Sequence, residues 1–174
     1  MKNQIFILLA FAAILLTSCN LTGESNFTPD IFFAKLPLNQ HGDTIQAYIT
    51  DDGSYKLDTM TVGDTLSFIL TVTGYENNLK AFYIKQSADS VTRAILPPKS
   101  SMDSIFTTGS DYKSGVFLMD GKLPTLFFPF KYVALKPSKE AKLTFTVVSD
   151  AHFEKMSGSN TNSLTFKTPI IVKK

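Results

Sequence analysis

The chain is poor in cysteine and tryptophan: Cys19 is the only cysteine among 174 residues, and there is no tryptophan. A single thiol excludes a disulfide within the chain and any zinc site built on several cysteines. Many surface sites for sugars stack the ring on tryptophan, so its absence lowers that expectation, although tyrosine can replace it. The sequence therefore predicts a domain without disulfides.

Arginine is almost absent as well, because Arg93 is the only one. Seventeen Lys and Arg residues stand against fifteen Asp and Glu, which gives a formal net charge of +2. Nucleic-acid binding usually relies on several arginines and lysines that contact phosphates and base edges. We expect no nucleic-acid partner.

Long hydrophobic runs are also missing. The longest apolar stretch runs from Ile5 to Leu16 and has twelve residues, whereas a membrane-spanning helix needs about 20. Lys2 precedes this stretch, and Leu15-Leu16-Thr17-Ser18-Cys19 ends it. A basic start, a short apolar segment and small residues before a cysteine are typical of a bacterial lipoprotein signal.

We expect cleavage before Cys19, conversion of its thiol to a thioether by attachment of lipid, and palmitate among the acyl chains. Residues 1–18 are then the signal peptide, residues 19–30 a flexible tether, and residues 31–174 a single domain of ordinary size. A lipidated sulfur also excludes thiolate catalysis. The alternative is an ordinary signal peptide that contains a cysteine by coincidence.

The remaining composition favours strands, with 15 phenylalanines and six tyrosines. Short apolar runs separated by turn residues continue to the end of the chain. Leu66–Thr73 has the clearest period of two, and Leu143–Ser149 with Leu164–Val172 is typical of a closing hairpin. The sequence predicts an all-β fold, an antiparallel immunoglobulin-like β-sandwich.

Three segments are harder to assign. Ile31–Leu36 reads as a strand that ends at Pro37, and Ser104–Thr107 as a short edge strand. Leu126–Leu135 reads as a strand, and Pro129 within it implies an edge position, a bulge or a change of sheet, since proline cannot donate a ladder hydrogen bond.

The signal segment, Val62-Gly63-Asp64-Thr65-Leu66-Ser67-Phe68 and Leu143-Thr144-Phe145-Thr146-Val147 together resemble the immunoglobulin-like lipoproteins of Bacteroidota-type bacteria. Most of that group has no assigned activity. The resemblance implies a lipid-anchored protein of the cell outer membrane, and Asn20 after the cysteine fits that destination. Glu24 is the first acidic residue after Cys19 and stands alone, so the periplasmic and the surface face of the membrane both remain open.

Five tripeptides have the form Asp, then Ser or Thr, then an apolar residue, which resembles the O-glycosylation site of these bacteria. The hydroxyls concerned belong to Thr44, Thr59, Thr65, Ser90 and Ser104. The alternative is ordinary β structure, in which an aspartate in a turn precedes a threonine at a strand start.

Neither a metal site nor a catalytic group stands out. Asp51-Asp52-Gly53 is typical of a hairpin turn and lacks the ligand spacing of a calcium loop. His41 and His152 have no second histidine or carboxylate at metal-ligand spacing, and no Gly-x-Ser-x-Gly elbow is present. We expect a protein that is not an enzyme and needs no cofactor.

The aromatic segment Phe127–Tyr132 is either an exposed surface for a glycan or protein partner, or, as we favour, a strand buried on both faces or on one face at an edge. The loops Gly109–Gly115 and Ala151–Asn162 are better candidates for contact, because loops at the ends of sandwiches carry most binding. The sequence thus predicts a lipid-anchored, non-enzymatic binding or scaffolding module of the outer membrane, with a glycan or protein ligand. The alternative is a structural subunit of a fimbria-like surface assembly that exchanges strands.

Overall fold

The computed structural model describes residues 27–86, 90–153 and 157–172. Cys19, the expected signal peptide and residues 19–26 of the expected tether lie outside these residues. Within them the elements are β1 (Asp30–Leu38), β2 (Ala47–Ile49), β3 (Tyr55–Leu57), β4 (Met60–Thr61), β5 (Thr65–Thr73), β6 (Leu79–Gln86), β7 (Thr92–Ile95), α1 (Lys99–Met102), β8 (Val116–Leu118), β9 (Thr125–Ala134), β10 (Ser138–Ser149) and β11 (Thr161–Ile171). No helix in the described ranges is long and apolar enough to cross a membrane.

The strands form two sheets that pack as a β-sandwich, which confirms the predicted fold class. The four-stranded sheet has the order β1-β5-β9-β7 and is antiparallel throughout. The seven-stranded sheet has the order β2-β3-β11-β10-β6-β8, and β4 also pairs with β11. β10 and β11 form the predicted closing hairpin.

One part of the second sheet differs from the prediction, because β3 and β4 run parallel to β11. Tyr55 lies opposite Phe166, and Met60 lies opposite Ile170. Parallel strands are joined by long connections and not by hairpin turns, so turn residues in the sequence do not predict their pairing. The predicted antiparallel sandwich is confirmed, and β3 and β4 add short parallel pairs at this edge.

Phenylalanine rings fill the space between the sheets. The ring of Phe145 lies 5.3 Å from that of Phe130, 5.7 Å from that of Phe166 and 5.8 Å from that of Phe82, measured between centroids. Alternation along each strand sends these rings to the same side, and each fully buried ring contributes about 1.5–3 kcal/mol. The fold therefore depends on aromatic packing instead of disulfides.

β9 explains the aromatic segment Phe127–Tyr132. The side chains of Phe128, Phe130 and Tyr132 point into the core, whereas Phe127 is 65% exposed. The strand is thus buried on one face only, and burial on both faces was wrong. β7 pairs with β9 only from Lys131 onwards, so Pro129 occupies the edge position that its missing N–H requires.

Two other expectations need correction. β1 continues through Pro37 to Leu38, because it is an edge strand whose register shifts twice, between Phe33 and Lys35 and again before Leu38. The segment Ser104–Thr107 is not a strand, since it follows α1 as a turn. Met102 and Phe106 are buried at a spacing of four, which suits a helical turn and not a strand.

Candidate functional site

A cleft of about 670 Å³ opens at one side of the sandwich, where the last residues of β6 approach β7 and the turn before β8. β7 is the edge strand of the four-stranded sheet and β8 that of the seven-stranded sheet. No described strand pairs with both of them, so a gap remains between the two sheets on this side. Polar and aromatic side chains dominate the lining: Tyr83, Lys85, Gln86, Thr92, Arg93, Tyr112, Lys113, Ser114 and Phe117. Clefts of this size accommodate small ligands.

The predicted contact loop Gly109–Gly115 forms one wall of the cleft. Asp111 organises the loop: its carboxylate accepts hydrogen bonds from the backbone N–H groups of Lys113 and Ser114 at 3.1 and 3.2 Å, and from the Ser114 hydroxyl at 2.6 Å. The Ser114 bonds hold the pKa of Asp111 below its usual value. This local network presents Lys113 and Ser114 to the cleft.

Tyr112 anchors the same loop to the core. Its ring stacks on Phe117 with centroids 5.5 Å apart, and its hydroxyl donates to Asp103 at 2.9 Å. Burial, and then the Asp103 carboxylate, raises the pKa of Tyr112. Lys99, and then the Tyr112 hydroxyl, lowers the pKa of Asp103. One face of the Tyr112 ring is thus covered by Phe117.

Positive charge collects around the cleft. Lys85, Arg93 and Lys113 line it, and no carboxylate belongs to the lining that the structure describes. None of these three cations forms a salt bridge with a described residue, whereas Lys80, Lys99, Lys122, Lys142 and Lys167 do. Lys113 also lies near the Asp111 carboxylate, whose pKa it helps to lower, and cations around a concave surface attract anions. Sequence reasoning missed Lys85 and Arg93, because they lie on strands that only the fold brings beside the loop.

A buried polar group lies behind the cleft. The Thr92 hydroxyl donates to the Gln86 amide oxygen at 3.2 Å, and both residues line the cleft. The Tyr132 hydroxyl is buried and makes no hydrogen bond within the described part of the chain. Burial raises the pKa of Tyr132, with the nearby Thr92 side chain acting in the opposite direction. The phenol therefore stays protonated at neutral pH.

The second predicted contact loop, Ala151–Asn162, lies elsewhere. Asp150 accepts a hydrogen bond from Asn78 at 2.7 Å, just before the start of β6, and Ser159 donates its N–H to Thr28 at 3.2 Å. The cleft is at the opposite end of β6. The described residues of this loop thus contribute nothing to the cleft, and the structure separates the two candidate loops.

The candidate glycosylation hydroxyls do not form a cluster with the cleft residues. Thr44, Thr59, Ser90 and Ser104 are exposed, and Thr65 is half-buried at the start of β5. The Ser104 hydroxyl donates to the Ser101 carbonyl at 2.7 Å. Glycosylation of these residues stays a prediction.

Asp51-Asp52-Gly53 forms the predicted hairpin turn between β2 and β3, with Gly53 at φ 76°. The carboxylate of Asp52 accepts hydrogen bonds from Thr50, Ser54 and Lys167. Lys167, and then Ser54 and Thr50, hold the pKa of Asp52 far below its usual value. No group of three or more His, Cys, Asp or Glu side chains within the described ranges could hold a metal ion.

Fold and cleft together define a small β-sandwich with a lateral cationic cleft. No protein-family model matches the chain, and no curated protein matches it. Among solved structures, a chain of a cohesin–dockerin complex is similar at 16% identity and a TM-score of 0.35, with 66% of this chain and 98% of that chain covered.

Two further solved structures are similar over more of this chain. A DUF4466 family protein from Parabacteroides merdae matches at 13% identity and a TM-score of 0.34, covering 80% of this chain and 42% of that one. A family 123 glycoside hydrolase from Clostridium perfringens matches at 8% identity and a TM-score of 0.36, covering 86% and 28%. At these scores the similarity does not distinguish a binding domain from part of an enzyme.

Proposed function

We propose that the chain is a lipid-anchored, non-enzymatic binding module of the bacterial outer membrane, and that the cleft binds an acidic saccharide. The observation that carries the binding site is the meeting of Lys85, Arg93 and Lys113 around one concave surface without a carboxylate among its described lining residues. The anchor rests on the lipoprotein signal that ends at Cys19.

The side chains of the cleft suit a sugar that carries carboxylate or sulfate groups. The cations supply charge-assisted hydrogen bonds to such groups. Tyr83, Gln86 and Ser114 add an aromatic surface, an amide and a hydroxyl for the neutral part of a sugar ring. A volume of about 670 Å³ is large enough for one or two rings.

Binding without turnover agrees with the chemistry of the lining. Hydrolysis of a glycosidic bond usually needs two carboxyl groups that flank it, and the described lining offers hydroxyls, an amide and cations. Its cations hold a ligand but do not supply the acid and the base of that reaction. We therefore expect the ligand to be released chemically unchanged.

The edge strands weigh against the fimbria-like alternative. β7 and β8, beside the cleft, have four and three residues, and short edges give a donor strand little to pair with. β1 is longer, but Lys35, Pro37 and two register shifts interrupt its free edge. These features are the usual protection against edge-to-edge pairing.

Binding can be tested by calorimetric titration of the mature protein with oligogalacturonate, using the methyl-esterified oligomer as the neutral counterpart. We expect binding of the acidic form only. Arg93→Gln and Lys113→Gln should each weaken it about tenfold, as expected for one charge-assisted hydrogen bond. Lys139→Gln, an exposed lysine at the start of β10, is the matched control. Equal affinity for both oligomers would overturn the proposed ligand class, and a shortened oligomer would overturn the non-enzymatic role.

The anchor needs a separate test. Cells that express the parent chain or Cys19→Ala are labelled with radioactive palmitate and fractionated, and we expect label and membrane association only with the parent. Protease treatment of intact cells, with lysed cells as the control, then assigns the domain to the surface if it is digested before lysis, or to the periplasm if it is protected until lysis. Palmitate on Cys19→Ala, or none on the parent, would contradict the anchor.

A further inference from the structure

The outer face of the four-stranded sheet is unusually apolar. Phe32, Ile69, Ile95 and Phe127 all point away from the core, and each is at least 38% exposed. Thr71 also faces outward but is only 7% exposed, since Phe32 and Phe127 lie directly on either side of it in the sheet. Apolar surface of this kind on a soluble domain marks an interaction site.

Four exposed aromatic side chains gather where the chain enters this sheet. Phe27, just before β1, packs against Tyr75 with ring centroids 5.6 Å apart. Phe32 and Phe127 follow one step further along the outer face. Two carboxylates lie at this end: Asp30, which accepts a hydrogen bond from the Tyr75 hydroxyl at 3.4 Å, and the exposed Glu76 next to Tyr75. Phenylalanine and tyrosine side chains suit the boundary between headgroups and acyl chains.

A groove of about 500 Å³ continues the apolar face towards the other end of β5 and β9. Leu36, Ile69 and Pro129 line it, and among the lining residues that the structure describes only Lys35 and Lys131 are charged. Neither lysine forms a salt bridge with a described residue. Apolar side chains flanked by free lysines complement a surface that has an apolar interior and anionic headgroups.

The anchor brings this face close to such a surface. Seven residues lie between Cys19 and Phe27, and the eight Cα-to-Cα steps that join them span at most about 29 Å. The lipid would therefore hold Phe27, at the entry to β1, within that distance of its attachment point, and Tyr75 packs against Phe27.

We propose that the outer face of the four-stranded sheet rests on the anionic phospholipid surface that carries the anchor, with Phe32 and Phe127 in contact with the headgroup region and Lys35 and Lys131 on lipid phosphates. This inference rests on the proposed anchor, and it is independent of the cleft's ligand. Docking on this face would fix the orientation of the domain relative to the bilayer.

The absence of tryptophan makes a direct test simple, because one introduced tryptophan is the only indole and can be excited separately from the six tyrosines. Mature lipidated Phe127→Trp is reconstituted into vesicles of phosphatidylethanolamine and phosphatidylglycerol, with and without brominated acyl chains. Tyr48→Trp, on β2 of the other sheet and 57% exposed, is the matched control. We expect a blue-shifted emission for Phe127→Trp and quenching by brominated lipid at least about threefold stronger than for Tyr48→Trp.

Charge reversal tests the contribution of the lysines. Lys35→Glu with Lys131→Glu in the Phe127→Trp background should return quenching to the level of Tyr48→Trp, while the anchor keeps the protein on floated vesicles. Equal quenching of Phe127→Trp and Tyr48→Trp on vesicles that retain the protein would overturn the docking of this face and leave the anchor intact. A concentration-dependent blue shift without vesicles would assign the face to a second copy instead. A parent protein that does not float with vesicles would overturn the anchor, and docking with it.

Discussion

Gly115 lies directly against the backbone of Ile84. The N–H of Ile84 donates to the Gly115 carbonyl at 2.9 Å, and a Cβ on Gly115 would collide with the Ile84 carbonyl oxygen. Gly115 also has φ 71°, a conformation that side chains with a Cβ disfavour. This approach closes the loop that carries Lys113 onto the end of β6, and so shapes one wall of the cleft.

Gly115→Ala should lower the free energy of unfolding by about 2–3 kcal/mol, because it combines an unfavourable φ with a clash against backbone. Gly42→Ala separates the two effects, since Gly42 has φ 89° and open space around it. We expect about 1 kcal/mol there. Urea denaturation of both variants measures the difference, and equal losses would mean that the contact with Ile84 does not constrain the loop.

Tyr112→Phe should keep the stacked ring and remove the hydrogen bond to Asp103. We expect the pKa of Asp103 to rise towards its ordinary value, and to rise further in Lys99→Gln, because Lys99 is the larger cause of its depression. NMR titration of the Asp103 carboxyl carbon follows both variants. An unchanged pKa in Tyr112→Phe would show that the hydroxyl does not bind Asp103 in solution.

The ion pair between Asp52 and Lys167 predicts a loss of stability in acid. The folded state lowers the pKa of Asp52 below its ordinary value of 3.8. The stabilisation is therefore fully present above that value, and it is lost as the pH falls through the lower folded pKa. Urea unfolding between pH 2 and 7 should show a smaller acid-dependent loss for Asp52→Asn than for the parent. Asp51→Asn removes a neighbouring charge, retains the ion pair, and should follow the parent curve.

The Tyr132 hydroxyl is buried without a partner among the described residues, so its removal should not destabilise the fold. We expect Tyr132→Phe to raise the free energy of unfolding by up to about 1 kcal/mol, because a buried polar group without a hydrogen bond is unfavourable. The Thr168 hydroxyl is also buried without a partner among the described residues, and Thr168→Val should likewise not lower the free energy of unfolding. A loss above about 1 kcal/mol in chemical denaturation would reveal a hydrogen-bond partner for that hydroxyl.

Phe145 sits where several aromatic rings meet, and Phe145→Ala should cost about 3–5 kcal/mol through lost burial and the cavity left behind. Phe127→Ala is the matched control, because the same side chain is removed from an exposed position, and it should cost about 0.5 kcal/mol or less. Thermal or urea unfolding gives both values. Similar losses would contradict the burial of Phe145 at 0% exposure.

Local pattern was sufficient for much of the fold. The alternation of Leu66, Phe68, Leu70 and Val72 predicts a strand with one buried face. In β5 these four side chains are buried, as predicted. The closing hairpin and the Asp-Gly turn were predictable for the same reason: pairing between neighbours in the sequence is set by side-chain alternation and turn residues. The strand predicted at Ser104–Thr107 failed because Pro97 and Pro98 end β7 and a helical turn follows, which four residues of β-favouring sequence do not reveal.

The sequence by itself determined the class of fold, most strands and one cleft loop, and it predicts the export signal, because these depend on residues close together in the chain. Only the tertiary structure decided the parallel pairing of β3 with β11, the exposure of Phe127, and the meeting of Lys85 and Arg93 with Lys113. Those outcomes depend on which distant strands become neighbours, and that choice is made by the burial of the shared aromatic core and not by any local signal.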